Sequence, residues 1–229
     1  MKIIILHGWT KNLDKWNEFL KILKEKGLEY EFPKVPGLTE KLYKVWELGD
    51  YIKWLNNIVA KAKGKVILMG HSNGGRIALA FANLYPEKID KLILLDSSGI
   101  YHNELPLRIK RFIFKTIAKL GKNLTSSSSL KNLLYKAARE SDYKDLEENI
   151  KKTMINLITT DLKPLLSEIK TPTLIIWGRE DKTTPLSDGK LMHHLIKNSK
   201  LEIIENAKHS PIFTHPEQVA NLIINNLAI

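Results

Sequence analysis

Residues 65–84 read KVILMGHSNGGRIALAFANL and contain the elements of one local motif in order. The continuous apolar run at 66–69 predicts a strand that is buried on both faces. The turn at 70–74 fits the pattern G-x-S-x-G, and apolar residues then recur at helical spacing over 77–84. A strand, a tight turn and a helix in this order predict a sharp bend at Ser72, with its hydroxyl exposed at the end of the strand.

The residue types in this turn suit acyl-transfer chemistry. Gly70 and Gly74 lack the Cβ atoms that would collide with the neighbouring strand and helix. The amide of Asn73, near the start of the helix, is expected to point at an oxyanion that develops beside Ser72. A glycine-rich turn of an unrelated α/β protein is the alternative explanation, and the rest of the chain has to decide between the two.

The composition excludes several classes of protein. The chain has 229 residues and a net charge of +11, but it contains only five arginines and spreads its lysines among acidic residues along the whole length. This pattern favours a solvated basic surface, so we expect no nucleic-acid partner. The absence of cysteine excludes disulfides, thiolate nucleophiles and cysteine-ligated metals.

The apolar stretches are all short. The run after Lys2 stops at His7, too early for a signal peptide, and no other run approaches the length of a membrane span. We therefore expect a cytoplasmic protein without stable membrane anchoring, present as a monomer or a homodimer.

Strand and helix patterns alternate along most of the chain, and an all-helical pattern interrupts them. Further strands are predicted at 2–6, 28–32, 91–95, 173–177 and 201–204, and helices at 12–26, 46–62, 186–197 and 216–227. Within the interruption, three amphipathic helices are predicted at about 104–120, 127–139 and 142–159. We therefore predict an α/β fold with a doubly wound, mostly parallel sheet of about six strands. Residues 1–99 and 167–229 would form the core, and 100–166 an inserted helical cap over the edge where open α/β folds bind ligands.

Two loops after predicted strands offer the partners that a serine nucleophile requires. Asp181 follows the strand at 173–177 and His209 follows the strand at 201–204, so both are expected at the same sheet edge as Ser72. The order serine, acid, histidine is the one found with G-x-S-x-G turns. Asp96 follows another strand and remains an alternative acid, whereas His71 is expected only to pack and form hydrogen bonds.

Three stretches together resemble the α/β-hydrolase superfamily, in its branch of esterases, lactonases and C–C bond hydrolases. They are GHSNGGRIALAFANLYPEKIDKLILLDSSG at 70–99, WGREDKTTP at 177–185 and ENAKHSPIFTHPEQV at 205–219. The resemblance covers the predicted core and leaves the cap unassigned. It differs from the family pattern in two places. The strands that usually precede the first core strand are missing, and PKVPG at 33–37 replaces a glycine-rich loop near the site.

The resemblance implies a role for five residues. Ser72 matches the nucleophile, Asp181 the triad acid and His209 the general base, while the amides of Trp9 and Asn73 match the oxyanion hole. No metal or cofactor is implied.

The predicted function is a serine hydrolase that cleaves small carboxylic esters through an acyl-enzyme. Trp9, Phe112 and Met154 are the candidates for contact with an ester or lactone substrate. Lactonase, thioesterase and C–C bond hydrolase activity use the same residues and stay open, as does a non-catalytic ligand-binding role on the same scaffold.

Overall fold

The computed structural model describes residues 2–10, 12–37, 39–102 and 147–227. The strands are β1 (Lys2–Leu6), β2 (Glu29–Glu31), β3 (Val66–His71), β4 (Ile89–Leu95), β5 (Thr173–Gly178) and β6 (Ser199–Ile204). The α-helices are α1 (Asn17–Glu25), α2 (Leu48–Val59), α3 (Asn73–Leu84), α4 (Glu148–Thr159), α5 (Leu186–Leu195), α6 (Pro211–Thr214) and α7 (Pro216–Leu227). Short 3-10 helices cover Asp14–Trp16, Pro86–Lys88 and Lys163–Glu168.

The six strands form one sheet in the order β2-β1-β3-β4-β5-β6, and every neighbouring pair is parallel. This confirms the predicted doubly wound parallel sheet. The central strands β3 and β5 are buried along their whole length, as their continuous apolar runs predict. Because all strands point the same way, the loops after β3, β4, β5 and β6 meet at one edge of the sheet.

Helices cover both faces of the sheet. Alternate residues of β1 show this, since Ile3 and Ile5 belong to a core shared with α1 and α7, whereas Ile4 and Leu6 belong to a core shared with α2 and α3. All four side chains are at most 1% exposed. Burial of this kind stabilises a fold by about 1.5–3 kcal/mol for each large aliphatic side chain. The two cores therefore fix the sheet between two helical layers, and with it the ends of the strands from which the loops emerge.

The segment that returns from the inserted region packs back on the core. The amide of Leu162 donates to the carbonyl of Gly99 at 2.8 Å, and the amide of Tyr101 donates to the Asp161 carboxylate at 3.0 Å. The chain thus leaves and re-enters the core at adjacent points. The two predicted cap helices at 104–120 and 127–139 lie outside the described residues, and the core and cap boundaries stay a prediction.

Helix α4 is the described part of the third predicted cap helix. Its Asn149, Thr153 and Asn156 lie on one face and bind the backbone of the segment 42–46: Asn149 donates to the Leu42 carbonyl, and Thr153 Oγ1 accepts the Trp46 amide at 2.9 Å. Polar side chains at helical spacing therefore tie this helix to a loop of the core.

Several element boundaries differ from the prediction for local reasons. Helix α2 begins at Leu48 and not near Trp46, because the Glu47 amide donates to the Asp50 side chain at 2.9 Å and so caps the helix there. The predicted first helix divides into a 3-10 turn and α1. Helix α6 was not predicted, and Pro211 at its first position favours it. Among the described residues, no helix is long and apolar enough to cross a membrane.

Candidate active site

Ser72 stands at the bend between β3 and α3. Its backbone angles are φ 53° and ψ −120°, a conformation that residues other than glycine rarely adopt. The bend is possible because glycines surround it. A Cβ atom on Gly74 would lie 2.2 Å from the Leu6 carbonyl oxygen, and one on Gly8 would lie 2.7 Å from the Cβ of Ser72. The close approach of these backbones fixes the serine at the sheet edge.

A chain of two hydrogen bonds links three of the predicted residues. The Ser72 Oγ atom lies 3.1 Å from His209 Nε2, and His209 Nδ1 lies 2.7 Å from Asp181 Oδ2. Since the carboxylate can only accept, His209 carries its proton on Nδ1 in the neutral form, and Nε2 is left to accept from the serine hydroxyl. The structure thus brings together side chains that are 137 and 28 positions apart in the chain.

The loop after β5 holds Asp181 in a fixed orientation. Its Oδ1 atom accepts the amides of Thr183 at 2.7 Å and Thr184 at 3.1 Å, and Oδ2 lies 2.7 Å from the Thr184 hydroxyl. Burial by itself favours the neutral acid, but the hydrogen bond and charge of His209 and the donors of Thr183 and Thr184 together lower the pKa of Asp181 below its ordinary value. Asp181 is therefore ionised at neutral pH.

His71 is part of the packing behind the site. Its Nε2 atom lies 3.0 Å from the Ser210 hydroxyl, and its ring lies 5.1 Å from the ring of His209. Burial, followed by the proximity of His209 and His7, holds the pKa of His71 well below its ordinary value. A neutral His71 that bonds Ser210 fits the expected packing role.

Asp96, the alternative acid, makes different contacts. It is completely buried, and its two carboxylate oxygens accept the amides of Gly178 at 2.9 Å and Ser210 at 3.0 Å. Burial raises the pKa of Asp96 to about 7. Within the described residues its carboxylate makes no hydrogen bond to His209, whereas Asp181 does.

His71, Asp96 and His209 also bring potential metal-ligand atoms within 4.8 Å of one another. These groups already have protein partners: His209 contacts Ser72 and Asp181, and Asp96 accepts two amides. A metal would have to displace those bonds, so the donor set does not suit one.

The loop after β1 lies over the serine. His7 Nε2 accepts the Val35 amide at 3.3 Å, so the proton is on Nδ1, which donates to the Gly8 carbonyl at 2.8 Å. Within the described residues, the amides of Trp9 and Asn73 have no protein acceptor. Asn73 follows Ser72 directly, and Gly8, the residue before Trp9, lies against Ser72, but the assignment of the two amides to an oxyanion hole stays a prediction.

The residues predicted to contact substrate are less fully described. Trp9 is half-buried and packs against the core shared with α2 and α3. Met154 is half-buried on α4 and lies outside the hydrogen-bonded group around Ser72, and Phe112 lies outside the described residues. A cavity of about 400 Å³ lies elsewhere, where the start of α2 meets the end of α4. The contacts of Trp9, Phe112 and Met154 with substrate stay a prediction.

Sequence reasoning missed two polar residues of the site. Thr184 lies between Asp181 and the carbonyl of Asp96, and Ser210 bonds both His71 and Asp96. A signal for Thr184 was available, because an Asp whose side chain accepts amides two and three positions later is a common turn. Ser210 adopts a φ of 84°, which no local pattern predicts.

Comparison with known proteins adds the family. Residues 2–216 match the family described as alpha/beta hydrolase fold. The pimeloyl-[acyl-carrier protein] methyl ester esterase of Wigglesworthia glossinidia brevipalpis is 29% identical, over 94% of this chain and 89% of its own. The 2-hydroxy-6-oxo-6-phenylhexa-2,4-dienoate hydrolase of Burkholderia cepacia is 25% identical, over 99% of this chain and 87% of its own. Among solved structures, an alpha/beta hydrolase enzyme from the metagenome of sediments of the Mar Chica lagoon, Morocco, is 26% identical with a TM-score of 0.71, covering 99% of this chain and 90% of its own.

Proposed function

The chain belongs to the α/β-hydrolase family, and on that premise we propose that it is a serine hydrolase that cleaves small carboxylic esters. The observation that carries this proposal is the chain of hydrogen bonds from Ser72 through His209 to Asp181, with lengths of 3.1 and 2.7 Å, at a strained serine backbone. A general base within hydrogen-bond reach of a hydroxyl, itself oriented by a carboxylate, is the arrangement that activates a serine.

In the proposed mechanism, His209 Nε2 accepts the proton of Ser72 as Oγ attacks the ester carbonyl. The Nδ1–H of the resulting imidazolium stays bonded to Asp181, whose negative charge stabilises it. The amides of Trp9 and Asn73 donate to the oxyanion, a contribution of about 10²- to 10³-fold in rate for each donor. The proton then passes from Nε2 to the departing alcohol, leaving an acyl-enzyme.

Deacylation follows the same path with water in place of the alcohol. His209 accepts a proton from water, which attacks the acyl carbon, and Ser72 leaves with the proton returned from Nε2. Every proton transfer in the cycle therefore passes through one nitrogen atom. The same steps apply to lactones and thioesters.

A C–C bond hydrolase is the second candidate, because one relative at 25% identity is described as a hydrolase of a dienoate. As a C–C bond hydrolase, this chain would act on a ketone whose leaving group is bonded to the carbonyl through carbon. An ester series and a C–C substrate measured on the same preparation distinguish the two.

The test measures hydrolysis of p-nitrophenyl esters from acetate to decanoate by wild type and Ser72→Ala. Ser199→Ala is the matched control, because Ser199 lies on β6 and, among the residues that the structure describes, its hydroxyl bonds His193 and Ile196 at the end of α5 and no residue of the site. We expect turnover by wild type and the control and its loss in Ser72→Ala.

A fluorophosphonate probe gives a second readout that does not depend on the ester chosen. It should label Ser72, as located by peptide mass spectrometry. Hydrolysis that survives Ser72→Ala would exclude the proposed nucleophile. A wild-type protein that is neither labelled nor active would favour a ligand-binding role.

A further inference from the structure

We propose that Asp96 is a positioning residue of this site, whose carboxylate joins the loop of Asp181 to the loop of His209. The inference rests on the proposed function, since it assigns a role within the same reaction. Asp96 follows directly after β4, the strand that pairs with both β3 and β5. It thus stands between the bend that carries Ser72 and the loop that carries Asp181.

Each polar atom of Asp96 binds a different part of the site. Its amide donates to the Ile176 carbonyl at 3.0 Å, and its carbonyl oxygen lies 3.0 Å from the Thr184 hydroxyl oxygen. Oδ1 accepts the amide of Gly178 and Oδ2 accepts the amide of Ser210. Gly178 begins the turn to Asp181, and Ser210 follows His209, so one carboxylate spans both loops.

The backbone angles of Asp96 and Ser210 indicate that both residues are held in place by their surroundings. Asp96 has a φ of 41° and Ser210 a φ of 84°, both in the left-handed region. Such conformations persist where surrounding bonds hold them, and they are common at functional sites. The two loops also approach each other closely, since a Cβ on Gly178 would lie 2.6 Å from the Lys208 carbonyl oxygen. A small shift of either loop would change the distance between Asp181 and His209.

A contribution to the stability of the fold does not by itself explain why the buried residue at position 96 is a carboxylate. The titratable groups that face it are Asp181 on the β5 loop, His209 on the β6 loop and His71 on β3, and within the described residues it forms no salt bridge. Burial raises the pKa of Asp96, which means that its ionised form is costly in this place. The ionised form accepts one amide at each oxygen and has no O–H group, whereas the neutral form carries an O–H group that needs an acceptor of its own. The ionised form also places a second negative charge within 4.8 Å of an imidazole nitrogen of His209.

The test compares Asp96→Asn with wild type. The asparagine has nearly the same shape, but it removes the charge and replaces one acceptor by an NH₂ group that opposes a backbone amide. The matched control is Asp90→Asn, because Asp90 lies on the same strand, β4, and is exposed to solvent. Steady-state kinetics on the best p-nitrophenyl ester are measured across pH 5–9, together with the rate of fluorophosphonate labelling at Ser72.

We expect Asp96→Asn to lower kcat and the labelling rate by about 10- to 100-fold, with KM nearly unchanged, because misplaced reacting groups affect the chemical step. The kcat/KM profile of wild type should also change near pH 7, where Asp96 ionises, and the profile of Asp96→Asn should lack that change. Asp90→Asn should change neither quantity. Equal kinetics and equal pH profiles in wild type and Asp96→Asn would overturn the proposal. Failure of wild type to turn over or to be labelled would instead overturn the proposed function.

A measurement on the wild-type chain covers the case in which Asp96→Asn does not fold. The amide protons of Gly178 and Ser210 are followed by NMR as the pH is varied. If Asp96 bridges the two loops, both signals shift with a common midpoint, because one carboxylate accepts from both amides. Independent midpoints, or signals that do not respond to pH, would overturn the proposal.

Discussion

The His209 Nδ1 atom lies 2.7 Å from Oδ2 of Asp181, whose side chain is fully buried while that of His209 is 21% exposed. The carboxylate cannot rotate away, since two backbone amides and the Thr184 hydroxyl also hold it. The histidine is therefore fixed in the tautomer that leaves Nε2 free for Ser72.

This relationship predicts the effect of Asp181→Asn. The amide NH₂ can donate to Nδ1, which would place the histidine proton on Nε2 and block its use as a base. We expect kcat to fall by about 10³- to 10⁴-fold, with the fold retained by circular dichroism. Glu180→Gln is the control, because Glu180 is adjacent and exposed. A loss of less than tenfold would assign the orienting role to another acid.

Substitution by alanine is expected to have opposite effects on stability at Gly74 and at Gly49. In Gly74→Ala the new Cβ would lie 2.2 Å from a backbone oxygen of β1, so we expect the free energy of unfolding to fall by at least about 3 kcal/mol. Gly49 lies in α2 with nothing within 4 Å of a new Cβ, so Gly49→Ala should stabilise by about 0.5–1 kcal/mol. Urea denaturation measures both. Equal effects would show that the bend can relax around the added methyl group.

The sequence predicted the sheet and the three hydrogen-bonded residues for a physical reason. Parallel strands such as β3 and β5 are buried on both faces and leave continuous apolar runs, and the loops that follow them must meet at one edge. The amphipathic pattern also located α7 correctly.

What the sequence did not predict depends on contacts between distant segments. The Asp96 carboxylate joins two loops that begin more than 80 positions later in the chain. Thr184 and Ser210, which lie in these loops, both contact Asp96. No local spacing encodes these contacts, since they arise only when four parallel strands end side by side. Oligomeric state and cellular location likewise stay predictions.

The raised pKa of Asp96 predicts a dependence of stability on pH. The folded chain binds this proton with a pKa of about 7, well above the value of 3.8 for an unperturbed Asp, so between these values the folded state holds more protons than the unfolded state. The free energy of unfolding must then decrease as the pH rises through this window. Relative to Asp96→Asn, which does not titrate, we expect wild type to lose about 2 to 3 kcal/mol between pH 5 and pH 8. Urea denaturation of both proteins at the two pH values checks this, and a constant difference would mean that Asp96 ionises normally.

The assignment of a backbone donor to the oxyanion hole predicts that the Asn73 side chain is dispensable. Asn73 is buried at the start of α3, directly after the serine, and its amide has no acceptor among the described residues. Asn73→Ala keeps that amide in place, so kcat should stay within about threefold of wild type. A proline at this position would remove the donor, but it would also disturb the bend, so alanine is the cleaner substitution. The measurement is kcat on the best ester, with unfolding by urea to confirm that the variant folds. A fall of about 10²- to 10³-fold in a folded Asn73→Ala protein would assign the donor to the side chain amide and remove the backbone from that role.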